Sequence, residues 1–559
     1  MITEISIIVR PEEENNRDIL NKKIADALKK QNVIAHADEI SAVLQKKSTD
    51  ARHGIVKFCL RYKVFIGEKP QSQTESSSDF LINFKKPLTN RAVIIVGSGP
   101  AGLFCALRLL ENGIKPVIIE RGNSVQERKK DIAAISARGI LNENSNYCFG
   151  AGGAGTFTDG KLYTRSTKRG DVSRIYKIFA AFGAPKSILT DAHPHIGTDK
   201  LPAVITKMQE KILESGGEFH LNTLCEDIII QKSSALAPAF PSVDPRFQNI
   251  PVCAALGIKA KDLKTSQEKI FTGSAVVFAT GNSADDVYKM LAKISPFCLQ
   301  AASFSAGVRV EHPRALIDKI QFHGKKMPQA AEYRLATRVS GRGVYSFCMC
   351  PGGFVIPAST SCDAITVNGM SPSRRNSEWS NAAIVTECAP QDIPPRFSEE
   401  AARAGCPALS SLYWRAFIDK ETHRHGSGQK APAQRLTDFL NAKDSITLPQ
   451  TSYTPGVIPS RLDLWLPQNI SSRLRVAFQD FNKKMNGFIT DDALLIASET
   501  RTGTPVRILR DPKTLECVSI KNLYPAGEGS GYSGGITSSA IDGDRIALAI
   551  TASLLSSPH

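Results

Sequence analysis

Gly97, Gly99 and Gly102 stand in the spacing G-x-G-x-x-G, and Glu120 follows eighteen residues after the last of them. Those residue types at that spacing can hold a dinucleotide. Gly97 permits a tight turn, Gly99 lets the backbone approach a diphosphate, and Gly102 lets the next helix pack against a sheet. Ser98, Pro100 and Ala101 complete the turn, and the helix N-terminus brings roughly half a positive charge to the phosphates. A carboxylate at Glu120 accepts from a ribose 2′-hydroxyl. That suits FAD or NAD and repels the 2′-phosphate of NADP. Arg121 joins it in the cofactor-binding set.

The elements that must position these residues are legible around them. An apolar strand at 93–96 leads into the turn, Gly113 ends the helix after it, and a second apolar strand runs up to Glu120. Residues 92–110 are nearly all apolar, so a membrane span is the alternative. A span runs about 20 residues unbroken, and the Gly-Ser-Gly-Pro break at 97–100 and Arg108 oppose it.

Two later segments could complete an FAD site. Residues 276–281 end a strand in Ala-Thr-Gly, with Thr280 and Gly281 beside the ligand. Residues 523–540 (LYPAGEGSGYSGGITSSA) read as strand, Gly527-Glu528, glycine turn and helix. Glu528 is expected to bond the ribityl or phosphate region. Gly534, Gly535 and Ile536 would aim free N–H groups at the flavin pyrimidine edge. Each alone is an ordinary glycine loop; their order matches an FAD domain split by an inserted domain. The loop 149–160 (FGAGGAGTFTDG) is expected to wrap the flavin through Gly152, Gly153, Ala154, Gly155 and Thr156, as an anion nest. Lys161 is either a cation near the ring or a surface lysine. Cys225, in the strand run 219–230, is placed with the cofactor-binding residues.

At 559 residues the chain has room for two or three domains. Its 42% apolar and 22% charged shares are those of a soluble globular protein. The start Met1-Ile-Thr-Glu reads as lacking a signal peptide, and twelve irregularly spaced cysteines read as reduced thiols. A cytoplasmic protein is expected. The net charge of +16 reads as a basic surface plus phosphate neutralisation; no Lys/Arg tract of five or more suggests nucleic-acid binding. Residues 1–88 read as a strand at 5–9, a helix at 17–30, a second helix at 40–44 and a long strand at 54–66. That is an α+β unit of ferredoxin-like size. Residues 71–79 read as a linker, 123–139 and 201–214 as helices, and the proline-rich 233–250 as a surface insertion.

Over nearly its full length the chain resembles the uncharacterised FAD-dependent dehydrogenase family of the two-dinucleotide-binding-domain flavoprotein superfamily, with an N-terminal ferredoxin-like cap. The matching segments are 48–52 (STDAR), 96–102, 149–162, 194–201 (PHIGTDKL), 306–313 (AGVRVEHP), 332–335, 344–353 (VYSFCMCPGG), 368–371, 431–434, 452–456 (SYTPG), 499–508 (ETRTGTPVRI) and 524–543. The resemblance implies an α/β chain. A Rossmann-type, glutathione-reductase-like FAD-binding domain is split by an inserted α+β substrate domain, beside a small N-terminal α+β domain. The expected bounds are 1–88 for the cap, 89–300 and 516–559 for the FAD domain, and 301–515 for the substrate domain. Family members often read Thr-Ser-Ser-Pro where this chain has Thr502-Gly503-Thr504-Pro505, which weakens a substrate role at Gly503.

The flavin carries the redox step and the protein supplies position and electrostatics. The expected activity is FAD-dependent oxidoreduction, with hydride passing between flavin and an organic substrate oriented by His195, Arg501 or Tyr453. No second G-x-G-x-x-G follows, so NAD(P)H and an electron-carrier protein both stay open as redox partners. Arg309 and Glu311 alternate along a strand, as a salt-bridged solvent face or a substrate-facing pair. Glu499, Arg501 and Arg507 offer the same choice. Cys348-Met349-Cys350 reads as a tight strand end over the flavin or pocket, ahead of a redox dithiol or a metal site; no metal is expected. The alternatives are an RNA-modifying flavoprotein, opposed by the lack of an aromatic stacking platform, and an electron-transfer module docking through residues 48–52.

Overall fold

Alternation inside one five-residue strand explains how the cofactor sheet is built. In Ala92–Val96, Val93 and Ile95 face one apolar cluster and Ile94 and Val96 face another, all buried. A strand buried on both faces belongs in the middle of a parallel sheet with helices on each side. Ala92–Val96 is the central strand of five, in the order Leu523–Pro525, Ala275–Phe278, Ala92–Val96, Lys115–Ile119, Glu218–His220, all parallel. The strand from near the chain end thus pairs beside Ala275–Phe278, although more than two hundred residues separate them. The computed structural model describes residues 1–33, 35–36, 39–50, 55–68, 84, 87, 91–164, 169–232, 252–325, 327 and 329–556. Among these, no helix is long and apolar enough to cross a membrane.

Helices Pro100–Glu111 and Ile536–Ser556 pack together on one face of this sheet. Their backbones approach so closely that a Cβ at Gly543 would lie 1.9 Å from the Ala101 carbonyl oxygen. The intervening chain builds a seven-stranded sheet in the order Ala336–Val339, Arg342–Cys350, Trp379–Cys388, Phe304–Pro313, Leu494–Thr502, Ala431–Arg435, Val457–Pro459. It is antiparallel except at the last pair. Helix Gln468–Lys484 covers one face through Leu474 and Phe478, which join Val308 and Val310 in one core.

The expected solvent face for Arg309 and Glu311 does not exist. Phe304–Pro313 is the middle strand, and both side chains are buried at 0% and 1% exposure. A central strand has no exposed face once a further layer covers it, and here the apolar cluster of Val355, Ile365 and Val367 lies beyond this sheet.

The N-terminal unit is a three-stranded antiparallel sheet, ordered Ile2–Val9, Lys57–Ile66, Ile40–Asp50, with helix Arg17–Lys30 packed through Ile24 and Leu28. The helix expected at 40–44 is therefore a strand. A run of only five residues fits either periodicity, and pairing from Ile40↔Ile66 to Asp50↔Lys57 decides it. Its outer edge reaches the parallel-sheet region. Lys47 N–H donates to the Thr190 carbonyl and Ala192 N–H donates to that of Lys47, both at 2.8 Å. The linker at 71–79, the insertion at 233–250 and residues 51–52 of the segment 48–52 lie outside the described residues.

Candidate functional site

The nucleotide turn is built by close backbone contact. Gly97 has φ +101°, and a Cβ there would stand 2.4 Å from the Ala279 carbonyl oxygen. No L side chain sits comfortably there, and the turn is pressed against the loop that ends the neighbouring strand. Gly102 lies behind it; a Cβ would meet the Gly97 oxygen at 2.1 Å, so its role is helix packing. Glu120 is met by four donors. Ser98 N–H and Oγ reach Oε2 at 3.0 and 2.7 Å, and Gly122 and Gly150 N–H reach Oε1 at 3.0 Å each. The carboxylate thus ties the turn to the glycine-dense loop. Arg121 lies 4.5 Å over the Phe149 ring and pairs with Asp286.

These loops enclose one cavity. Gly97, Ser98, Gly99, Pro100 and Ala101 line it, with Glu120, Arg121 and Cys225 at one part of its wall. Thr280 and Gly281 contribute from the second loop, Gly527 and Glu528 from the third, and Gly534, Gly535 and Ile536 from the start of the last helix. The first backbone N–H groups of that helix have no partner within it. Gly153, Ala154 and Gly155 also line the cavity, whereas Gly152 and Thr156 stand behind them; Thr156 Oγ1 donates to the Ala151 carbonyl at 3.1 Å. Glu528 has one polar neighbour of note, the Asn282 amide, which donates to it and to the Arg501 carbonyl at 2.9 Å each. Among the described residues no cation pairs with it, and burial pushes its carboxyl up to about 7.

One residue essential to this geometry escaped the sequence reading. Arg128, 0% exposed, donates to the carbonyls of Asn146, Tyr147, Gly150, Ala151 and Gly153 at 2.7–3.3 Å. It moulds the glycine-dense loop from behind. Burial lowers its pKa to about 10, and it stays charged at neutral pH. Nothing marks it out in a helix that reads as a charged surface segment.

The opposite wall comes from the seven-stranded sheet, at two places where strand pairing is irregular. Between Phe347↔Ala383 and Cys350↔Asn381, one strand carries an extra residue. Leu494–Thr502 likewise carries one extra between Val308↔Ala497 and Gly307↔Glu499, and another between there and Ser305↔Thr502. Bulges re-aim side chains. Consecutive residues Phe347 and Cys348, and Arg501 and Thr502, thereby line the same cavity, together with Asn368 and Glu499. Cys348 adopts φ +40°. Its thiol is exposed to the cavity, and burial in the interior pushes it up to about 12, so it is protonated at neutral pH.

Glu499 and Arg501 each have a counter-ion behind them. Arg309 Nη1 donates to Glu499 Oε2 and to Asn368 Oδ1 at 2.8 Å each, and Nε to Asn381 at 2.8 Å. Burial nevertheless holds the Glu499 carboxyl above the ordinary range. Glu311 accepts from Thr451 Oγ1 at 2.6 Å and Ser452 N–H at 3.0 Å, and burial also raises it. Arg501 Nη2 pairs with Asp419 at 3.0 Å, while its Nε and Nη1 and the Thr502 hydroxyl are buried without partners.

Several more expected positions lie off the cavity. Tyr453 is buried in a separate apolar cluster and donates its hydroxyl to the Gln429 carbonyl at 2.9 Å. His195 Nε2 lies 3.3 Å from the Ser373 carbonyl. Burial and Arg375 depress its pKa, so the ring is neutral near pH 7. Lys161 is partly exposed and does not line the cavity; it bonds the Met349 carbonyl and stands 3.5 Å from Asp159. Arg507, also off the cavity, lies 5.5 Å over the Tyr532 ring.

Residues 303–502 match the model of an FAD-dependent protein C-terminal domain, residues 90–132 an FAD-binding domain, and residues 1–65 a domain of unknown function. An uncharacterized protein of Clostridium beijerinckii is 33% identical over 554 residues, covering 96% of each chain. The chain belongs to the FAD-dependent dehydrogenase family introduced above. FAD is its cofactor. Among solved structures, the Bacillus halodurans glycerol-3-phosphate dehydrogenase complexed with FAD aligns at 10% identity, over 86% of this chain and 68% of that one, with TM-score 0.35. Mycobacterium smegmatis Sdh1 in complex with UQ1 aligns at 14% identity, over 84% and 69%, with TM-score 0.33. The cavity of this family member suits the cofactor on its own geometry. A Cβ added at Gly281, Gly534 or Gly535 would meet nothing within 4 Å, so these backbones face open space. The unpartnered donors of Arg501 and Thr502 lie on the facing wall.

Proposed function

We propose that this protein is an FAD-dependent dehydrogenase acting on a small organic substrate held against the bulged wall of the seven-stranded sheet. One observation carries the reading. A single cavity has glycine turns and helix N-termini on one side and a charged, side-chain-built wall on the other. The turn 97–101 and the N-terminus of Pro100–Glu111 would take the diphosphate, and Glu120 the adenosine ribose, with Ser98 Oγ yielding its bond to that carboxylate. Glu528 and Asn282 would hold the ribityl chain, and the N-terminus of Ile536–Ser556 the pyrimidine edge. When bound, the isoalloxazine supplies two-electron redox chemistry. Phe347, Cys348, Asn368, Glu499, Arg501 and Thr502 then form the substrate wall. His195 and Tyr453 have no part in it.

The redox partner fits a small molecule such as NAD(P)H arriving transiently, because no second dinucleotide turn is present in the sequence. Purified protein is expected to be yellow and to release FAD on heating. Anaerobic mixing with NADH, NADPH and candidate metabolites in a stopped-flow cell should bleach the flavin with at least one of them. Protein that refuses FAD after refolding in its presence would overturn the reading.

A further inference from the structure

The substrate wall carries two opposite charges that do not neutralise each other. Glu499 and Arg501 lie two residues apart on Leu494–Thr502, and both line the cavity. Among the described residues they form no ion pair together. Each is pinned by its own counter-ion, Glu499 by Arg309 at 2.8 Å and Arg501 by Asp419 at 3.0 Å. Arg309 takes only Oε2 of Glu499, which leaves Oε1 as an acceptor. Asp419 takes only Nη2 of Arg501, and Nε and Nη1 are buried with no acceptor. Next to them the Thr502 hydroxyl is also unpartnered, and Phe347 adds an apolar surface.

A buried polar group left without a partner is costly, so such a wall selects a ligand that supplies the missing halves. We infer that the substrate is a zwitterionic amino carboxylate: its ammonium, primary or secondary, meets Glu499, and its carboxylate meets Arg501 and Thr502. A neutral alcohol brings neither a cation to Glu499 Oε1 nor an anion to the unpartnered donors of Arg501. A dianion brings a second negative charge against Glu499. The FAD diphosphate could satisfy Arg501 as an oxyanion, but it brings no cation to Glu499, and it has its own N–H groups at the turn 97–101. The bulge between Glu499 and Thr502 lets the consecutive residues Arg501 and Thr502 line the cavity together.

The inference rests on the dehydrogenase reading above, and its test separates the two. FAD-loaded enzyme is titrated anaerobically by calorimetry with a panel of L- and D-amino acids and their N-methyl derivatives. The tightest ligand is then compared with the carboxylic acid and the amine of the same carbon skeleton, and flavin content is measured by absorbance for every protein. At least about tenfold weaker binding is expected when either charge is removed. Glu499→Gln should erase the preference for the zwitterion over the acid, and Arg501→Met the preference over the amine, with flavin content unchanged. Holoenzyme with full flavin that binds no zwitterion, or binds a singly charged analogue equally well, overturns the inference alone. So does Arg501→Met that sheds FAD and keeps the preference, which assigns Arg501 to the cofactor. Wild-type protein without flavin overturns the dehydrogenase reading and this one with it. The analogue series on wild-type protein decides the matter if a variant does not fold.

Discussion

The two walls of the cavity recognise by different means. On the parallel-sheet side, the cavity is lined mainly by backbone: glycines at the turns and helix starts, with the Glu120 carboxylate tying the loops together. On the antiparallel side, contact is made by side chains whose charges are pinned from behind by Arg309 and Asp419. A backbone wall suits a ligand that never changes, since it needs only steric room and fixed dipoles. A side-chain wall can be altered one residue at a time, which suits a variable substrate. A fully buried arginine braces each wall, Arg128 the first and Arg309 the second.

The sharpest way to break the comparison is Gly97→Ala. Its Cβ would meet the Ala279 oxygen at 2.4 Å in a left-handed turn. FAD affinity is expected to fall by at least about 100-fold, near 2.7 kcal/mol, in a flavin-fluorescence titration. Retained affinity would mean the backbone wall does not carry cofactor binding.

The two bracing arginines come next. Arg128→Met strips donors from five carbonyls, and Arg309→Met leaves Glu499 buried without its cation. Each should cost on the order of 3–5 kcal/mol in urea unfolding. Only Arg128→Met should also lose FAD from the purified protein. Equal loss from both variants would show that the walls are not separable.

A smaller effect is expected from Glu528, whose carboxyl rises from 4.5 to about 7 through burial. The folded apoprotein binds this proton more tightly than the unfolded chain does. This group's contribution is therefore harmless below about pH 4.5 and grows more destabilising as pH rises to 7, by roughly 3 kcal/mol in all. Glu528→Gln should flatten that slope in apoprotein unfolding measured from pH 4.5 to 8. An unchanged slope would mean that the cavity solvates the carboxylate. The smallest effect is expected for Tyr453→Phe. It removes one hydrogen bond to Gln429, about 1 kcal/mol, and should leave flavin reduction rates unchanged. A large kinetic defect would move Tyr453 back to the substrate wall.

The sequence by itself determined the backbone wall. Glycine at 97, 99 and 102, the Ala-Thr-Gly at 279–281 and the Gly-Glu at 527–528 are legible because a turn or close approach excludes other residue types, so local steric demand is written in residue identity. It determined the helices 17–30 and 201–214 to the residue for a similar local reason. Only the tertiary structure decided the rest. Whether 40–44 is helix or strand depended on a partner more than fifteen residues away. Arg309 reads as a surface charge until the layer holding Asn368 and Gly369 covers it, and Arg128 reads as one until a loop folds over it. Strand register and bulges set which residues of Leu494–Thr502 and Arg342–Cys350 reach the cavity. Register is a property of pairs of distant segments, and no single segment encodes it.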